Sequence, residues 1–349
     1  MTDLLPGEAV LTAHRGRALI ITLNRPEALN ALNRDMCLSI HRALIDGLGD
    51  PEVDRVIIEG TGDRAFCAGG DVVGLYHSGR AGSPDFEGFF HDEYRMNQTI
   101  AVYGQDYIAL MDGVTMGGGV GLSIHGRYRV ATERTLFAMP ESGIGLIPDV
   151  GGTHALARLP GEIGVWLALT GARLKAADCC YAGIATHHVP ADRIPLLREL
   201  LADKDEPVVE ILDTLHTDPG PSMIEPLRDA IDFHFSHDTV EAIQASLAEG
   251  DDWARAQHDV IARMSPTSLK LGLRGVRMGA GQSIEAALRT EYRMVSQIKH
   301  GRDFYEGVRA QLIDKDKSPL WSPATLAEVD DAVVESYLKE PAGGDLTFE

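Results

Sequence analysis

Apolar and polar positions change rhythm along the chain. Ala18–Asn24 (ALIITLN) is a short β-rich run that the NRP tripeptide stops. Asp54–Glu59 (DRVIIE) and Tyr107–Met111 (YIALM) are apolar runs of the length expected for buried strands. Between and after them, Asp35–Gly47 and Asp85–Tyr103 carry apolar residues at helical spacing, and Asp35 suits an N-cap. Short β segments at Tyr128–Ala131 and Thr135–Ala138 precede helices from about Thr153 to Thr170. From about Pro190 onward the pattern is almost wholly helical, punctuated by Pro207, Pro219, Pro226 and Pro266. Asp238–Glu249, Asp251–Met264 and Ser283–His300 each pair a capping residue with periodic apolar positions. The succession predicts an α/β core over residues 1–200 and a helical region over 201–349.

Composition narrows the partners. The 349 residues are 44% hydrophobic, and 52 acidic against 32 basic side chains give a net charge of −20. Such a surface repels nucleic acid and anionic membranes, and no stretch approaches the ~20 apolar residues of a membrane span. A polyanionic ligand would need a local basic patch. Lys315 and Lys317 are candidates, although solvated loop charge is the simpler reading. Cys37, Cys67, Cys179 and Cys180 form neither a disulfide framework nor a CxxC pair. The start, MTDLLPGEAV, has neither the form of a signal peptide nor that of an Arg-rich transit peptide, and a reducing cytoplasm is expected.

The candidate chemistry lies in glycine loops and isolated carboxylates. Gly117, Gly118, Gly119 and Gly121 fall where a helix should begin, although each glycine costs ~1 kcal/mol relative to alanine there. Two explanations stand level: free amides offered to a ligand at a helix N-terminus, or close packing of that helix on a sheet. Cys67-Ala68-Gly69-Gly70-Asp71 has the same look, so one amide from each loop could form an oxyanion hole. Glu141 (MPESG) and Asp149 (PDVGG) stand beside prolines and glycines in an otherwise apolar stretch, as a positioned acid–base pair would. The plainer alternatives are a first-turn acid for Glu141 and a helix cap for Asp149.

At these residues the sequence resembles the crotonase, or enoyl-CoA hydratase/isomerase, superfamily. The matching blocks are ITLNRPEALNAL (Ile21–Leu32), RAFCAGGD (Arg64–Asp71), MGGGVGL (Met116–Leu122) and Phe137–Gly152, in the family's order and separation. The resemblance implies a spiral core of repeated ββα turns followed by a helical C-terminal region that completes the coenzyme A site. It also implies an oxyanion hole at the amides of Gly70 and Gly118, and coenzyme A contacts at Ala68, Gly69 and Asp71. Within the superfamily, Met111–Gly152 and the segments TGARLKAADCCYAGIATHHV and RDFYEGVRAQLIDKDKSPLWSP look most like the 3-hydroxyisobutyryl-CoA hydrolase branch. That branch implies substrate-site roles for Glu93, Gly118, Glu141 and Asp149, with Glu141 and Asp149 catalytic, and a place in valine breakdown. Hydratases of the superfamily carry a glutamate shortly after the triple glycine; here that position is Gly121. Losing that carboxylate while keeping Glu141 and gaining Asp149 favours hydrolysis of a short 3-hydroxyacyl-CoA thioester.

The expected partner is an acyl-CoA substrate, with self-association left open and no cofactor, because coenzyme A is part of the substrate. The alternatives are an enoyl-CoA hydratase or isomerase using Glu141 alone, and a non-catalytic acyl-CoA-binding member. A Ser-His-Asp thioesterase lacks its G-x-S-x-G elbow, and His187-His188 without an H-E-x-x-H motif reads as a strand end, not a metal site.

Overall fold

The computed structural model describes residues 8–348. The strands are β1 (Val10–Arg15), β2 (Ala18–Leu23), β3 (Arg55–Gly60), β4 (Ala65–Cys67), β5 (Asp106–Met111), β6 (Val114–Met116), β7 (Tyr128–Ala131), β8 (Leu136–Ala138) and β9 (His187–His188). They form a six-stranded sheet in the order β1-β2-β3-β5-β7-β9 and a three-stranded sheet in the order β4-β6-β8. Only the β1–β2 hairpin is antiparallel in the large sheet; β2–β3, β3–β5, β5–β7 and β7–β9 are parallel.

A parallel sheet covered on both faces needs near-continuous apolar strands, and β2, β3 and β5 have them. One face, through Ala18, Ile20, Ile57, Ile108, Leu110 and Val130, packs with Leu197, Leu201, Ile211 and Leu212 of the helices Ile194–Asp203 and Val208–Leu215. β1 escaped the sequence pattern because as an edge strand it is largely exposed. β4 and β6 escaped it because each has only three residues.

Among the described residues every regular element after β9 is a helix, as the pattern predicts. The compact units, however, do not follow a single cut near residue 200. One comprises the described residues up to Gly70 with Arg95–Phe137 and Leu174–Glu225; the other comprises Asp71–Tyr94, Ala138–Arg173 and the chain from Pro226. The boundary by element type thus differs from the division in space, because segments far apart in sequence share a core. In the second unit the helix Ile163–Thr170 is apolar and buried all round. The helices Gly152–Leu156 and Pro266–Gly279 approach so closely that a Cβ on Gly279 would collide with the Thr153 carbonyl.

Capping differs in detail from the sequence reading. The helix Arg34–Leu48 is capped by Asn33, whose side chain accepts from Met36 N at 2.9 Å, and not by Asp35. Thr239, not Asp238, caps Val240–Ala248, while Asp251 and Ser283 cap as expected. Among the described residues no helix is long and apolar enough to cross a membrane.

Candidate active site

The two glycine loops follow β4 and β6, which pair in parallel with Ala65 opposite Val114 and Cys67 opposite Thr115. Parallel pairing brings the C-terminal ends of neighbouring strands together, so the loops lie side by side. A Cβ on Gly69 would sit 3.6 Å from Met116 O, and one on Gly119 would collide with Cys67 O. Gly69 also has φ of 122°, a conformation that side chains rarely adopt. The packing explanation for the glycines therefore holds. Gly118 opens the short helix Gly118–Ser123, so its amide has no acceptor inside that helix.

The run Arg25–Leu32 before these loops has a mechanical use. Buried Asn30 accepts from Arg25 N at 3.0 Å and donates from its side-chain amide to Thr61 O and Ala65 O, each at 3.0 Å. Leu32 N then donates to Gly69 O at 2.8 Å, and Ala68 N donates to Leu29 O at 3.0 Å. These bonds hold the Cys67–Gly70 loop from one side. They also occupy the Ala68 amide and one lone pair of the Gly69 carbonyl. Asp71 caps the helix Val72–Arg80 by accepting from Gly74 N at 3.0 Å.

In the second unit, three of the predicted carboxylates meet. Glu93 comes from the helix Asp85–Ala101, Glu141 opens the 3₁₀ turn Glu141–Ile144, and Asp149 precedes the helix Gly152–Leu156. All are at most 4% exposed. Glu93 Oε1 and Glu141 Oε2 are buried without a hydrogen-bond partner. Asp149 is no helix cap: its Oδ2 accepts from the Tyr94 hydroxyl at 2.7 Å, and Gly151 takes the N-cap position.

Burial sets the electrostatics. It drives the Glu93 carboxyl well above the usual carboxylate range, and the charges of Asp149 and Glu141 drive it further. Glu141 is likewise raised by burial and then by Asp149. Burial pushes Asp149 up to about 7, against the lowering effect of the Tyr94 hydrogen bond. All three carboxyls are thus displaced toward their protonated forms, by burial first and by one another's charge for Glu93 and Glu141. That is the requirement for general acid–base chemistry.

Sequence reading missed Tyr94, Asn30 and a fourth buried acid, Glu291. For Glu291 a signal existed. It occupies the apolar stripe of the helix Ile284–Ile298, in register with Ile284, Ala287, Leu288, Met294 and Val295. Glu93 similarly follows Phe86, Phe89 and Phe90 on the buried side of its helix. His187 and His188 form β9 and face Asp213 and Thr217; among the described residues no group of three His, Cys, Asp or Glu is placed to hold a metal.

The family model described as enoyl-CoA hydratase/isomerase matches residues 18–338. The mitochondrial 3-hydroxyisobutyryl-CoA hydrolase of Danio rerio is 48% identical over 94% of this chain and 89% of its own length. The mitochondrial enzyme of that name from Homo sapiens is 45% identical over 98% and 91%. A solved structure titled carnitinyl-CoA dehydratase, from Mycobacterium thermoresistibile, superposes with a TM-score of 0.93 at 42% identity, covering 98% of this chain and 99% of its own. One titled enoyl-CoA hydratase, from Rhodobacter sphaeroides, gives 0.90 at 43%, covering 98% and 100%. The mitochondrial names overturn the expectation of a cytoplasmic protein. Free thiols and an acidic surface suit any reducing compartment, so they carried no information on which one. With a family model matching nearly from end to end, and relatives close to half identical over the same span, this chain belongs to the enoyl-CoA hydratase/isomerase family.

Proposed function

We propose that this chain is an acyl-CoA thioester hydrolase that converts 3-hydroxyisobutyryl-CoA to 3-hydroxyisobutyrate and coenzyme A. The observation that carries the choice between hydrolase and hydratase is Gly121. It is buried in the glycine-rich helix and has no side chain with which to deliver water to a double bond. The acids instead come from Glu93, Glu141 and Asp149, a set suited to activating water against a carbonyl. The hydratase and dehydratase titles of the two solved structures pull the other way, whereas the curated hydrolases match at slightly higher identity.

In this reading the Gly70 and Gly118 amides polarise the thioester carbonyl and stabilise the tetrahedral oxyanion. Glu141 takes a proton from water as the water oxygen bonds to the carbonyl carbon. The C–S bond then breaks, and the thiolate leaves with a proton returned from the carboxyl cluster. In a second route the Glu141 carboxylate attacks the carbonyl carbon, the C–S bond breaks and the thiolate leaves with a proton from the carboxyl cluster, and water then opens the resulting mixed anhydride. The partnerless Glu141 Oε2 suits either route. Asp149 positions the water or shares the proton, and Glu93 binds the substrate hydroxyl or orients Glu141. Ala68, Gly69 and Asp71 line the coenzyme A path, with the Ala68 carbonyl as one acceptor. No further cofactor is required. The substrate places the reaction in valine breakdown, and self-association is compatible with it.

The test uses the wild-type protein with 3-hydroxyisobutyryl-CoA and crotonyl-CoA at matched concentration. Thiol release from the first should far outpace hydration of the second. Rapid hydration without thiol release would sink the hydrolase assignment and leave the family intact.

A further inference from the structure

The turn that carries Asp149 is strained. Val150 has φ of 56° and Gly151 of 77°, so two successive residues lie in the left-handed region. For a buried β-branched residue this costs on the order of 1–3 kcal/mol and persists only where surrounding contacts enforce it. The helix that follows, Gly152–Leu156, has no capping side chain of its own. Its amides are met by a residue nearly 140 positions away. Glu291 Oε2 accepts from Gly151 N at 2.7 Å, while Oε1 accepts from Thr153 N at 2.9 Å and from the Thr153 hydroxyl.

Glu291 is fully buried in the apolar stripe of its helix. An apolar residue there would fill the core without the cost of desolvating an acid. The acid becomes intelligible through the turn that it holds. We infer that Glu291 is a positioning residue for Asp149, clamping the backbone of the 149–153 turn while Tyr94 holds the Asp149 side chain. The inference depends on the hydrolase reading only for the role it gives Asp149.

Glu93 and Tyr94 from the helix Asp85–Ala101, Glu141 from the 3₁₀ turn and Glu291 from Ile284–Ile298 are the titratable groups that act on this turn and on each other. Burial pushes Glu291 up to about 8, opposed by its bonds from Thr153 and Gly151, and the charge of Asp149 adds to the rise.

The experiment compares the full-length wild type with Glu291→Gln, which keeps the shape but turns one acceptor into a donor facing an amide. The kcat for thiol release from 3-hydroxyisobutyryl-CoA should fall by about 10- to 100-fold with KM little changed. In the ligand-free protein, the carboxyl-carbon NMR titration of Asp149 should move to higher pH, because a loosened turn weakens the Tyr94 hydrogen bond that lowers it. A purely structural acid would lower thermal stability and leave both readouts where they were. A folded Glu291→Gln with wild-type kcat and an unmoved titration overturns the inference. If that variant does not fold, Thr153→Val decides, since it deletes only the hydroxyl donor. A lower kcat at unchanged KM supports the clamp, and wild-type kcat with an unmoved titration removes it. Should the wild type release no thiol, the hydrolase reading fails by itself and the Asp149 titration still judges the clamp.

Discussion

The glycine loops and the carboxyl cluster solve different physical problems. The loops after β4 and β6 are built from backbone, set by parallel pairing and held by Asn30 and Leu32. Nothing in the amides of Gly70 or Gly118 titrates, so the properties of these loops should be indifferent to pH. The cluster is built from side chains removed from water, and every acid in it is displaced toward its protonated form. Geometry alone suffices for the first, whereas the second needs opposing hydrogen bonds to stay usable. The contrast teaches that stability and reactivity are separable in the loops and entangled in the cluster.

The largest effect expected on that contrast is from Glu141→Gln. It keeps shape and removes the base or nucleophile, so thiol release should fall by ~10²-fold or more while thioester binding survives. Near-normal turnover would take Glu141 out of the mechanism. Gly118→Pro comes next, with an expected loss of about 10²–10³ in kcat. At the first helical position proline removes an amide that has no helical acceptor, so the helix should tolerate it. Its loss should be the same at pH 6 and pH 9; a pH-dependent loss would merge the two regions into one. Equal losses in kcat and in binding would instead make Gly118 a general structural residue.

Tyr94→Phe should have a smaller effect of a different kind. The hydroxyl lowers Asp149 from where burial alone would put it. Without it the Asp149 carboxyl titrates higher, and the acid limb of the kcat profile should shift up by on the order of one pH unit. Superimposable profiles for wild type and variant would show that Asp149 does not set that limb. The smallest effect is on stability. Burial raises the Glu141 carboxyl above the ordinary glutamate value of about 4.5, so its contribution is fully present below about that pH and is lost as pH rises toward the folded value. Glu141→Gln mimics the protonated form. It should leave thermal unfolding unchanged at acidic pH and stabilise by about 0.5–2 kcal/mol at pH 8. Destabilisation at pH 8 would show that the charged form is held by partners not yet counted.

Much of this was legible in the sequence, and the rest was hidden for definable reasons. Continuous apolar runs exposed β2, β3 and β5, and periodicity exposed the later helices. Glu141 and Asp149 stood out because charge is rare in their stretch. Three-residue strands carry no periodic signal, so β4 and β6 were invisible although they place both glycine loops. Tyr94 was overlooked because a tyrosine on the buried side of a helix reads as core. Its hydrogen bond to Asp149 joins residues 55 positions apart, which no local pattern records. Glu291 broke the apolar stripe of its helix, but only the fold says what it holds.

The turn carrying Asp149 is thus a tenant of a helix that closes nearly 140 residues later. That has a consequence for protein engineering. Grafting residues 141–153 into a hydratase scaffold would transplant the acids and leave behind the clamp that aims one of them. Such a chimera should fold and carry every residue of the local motif, yet hydrolyse poorly until a glutamate is supplied at the position of Glu291. Exchange of chemistry between members of this family would then require changes in two distant segments together, which makes the hydrolase branch harder to reach by stepwise mutation than its short motif suggests.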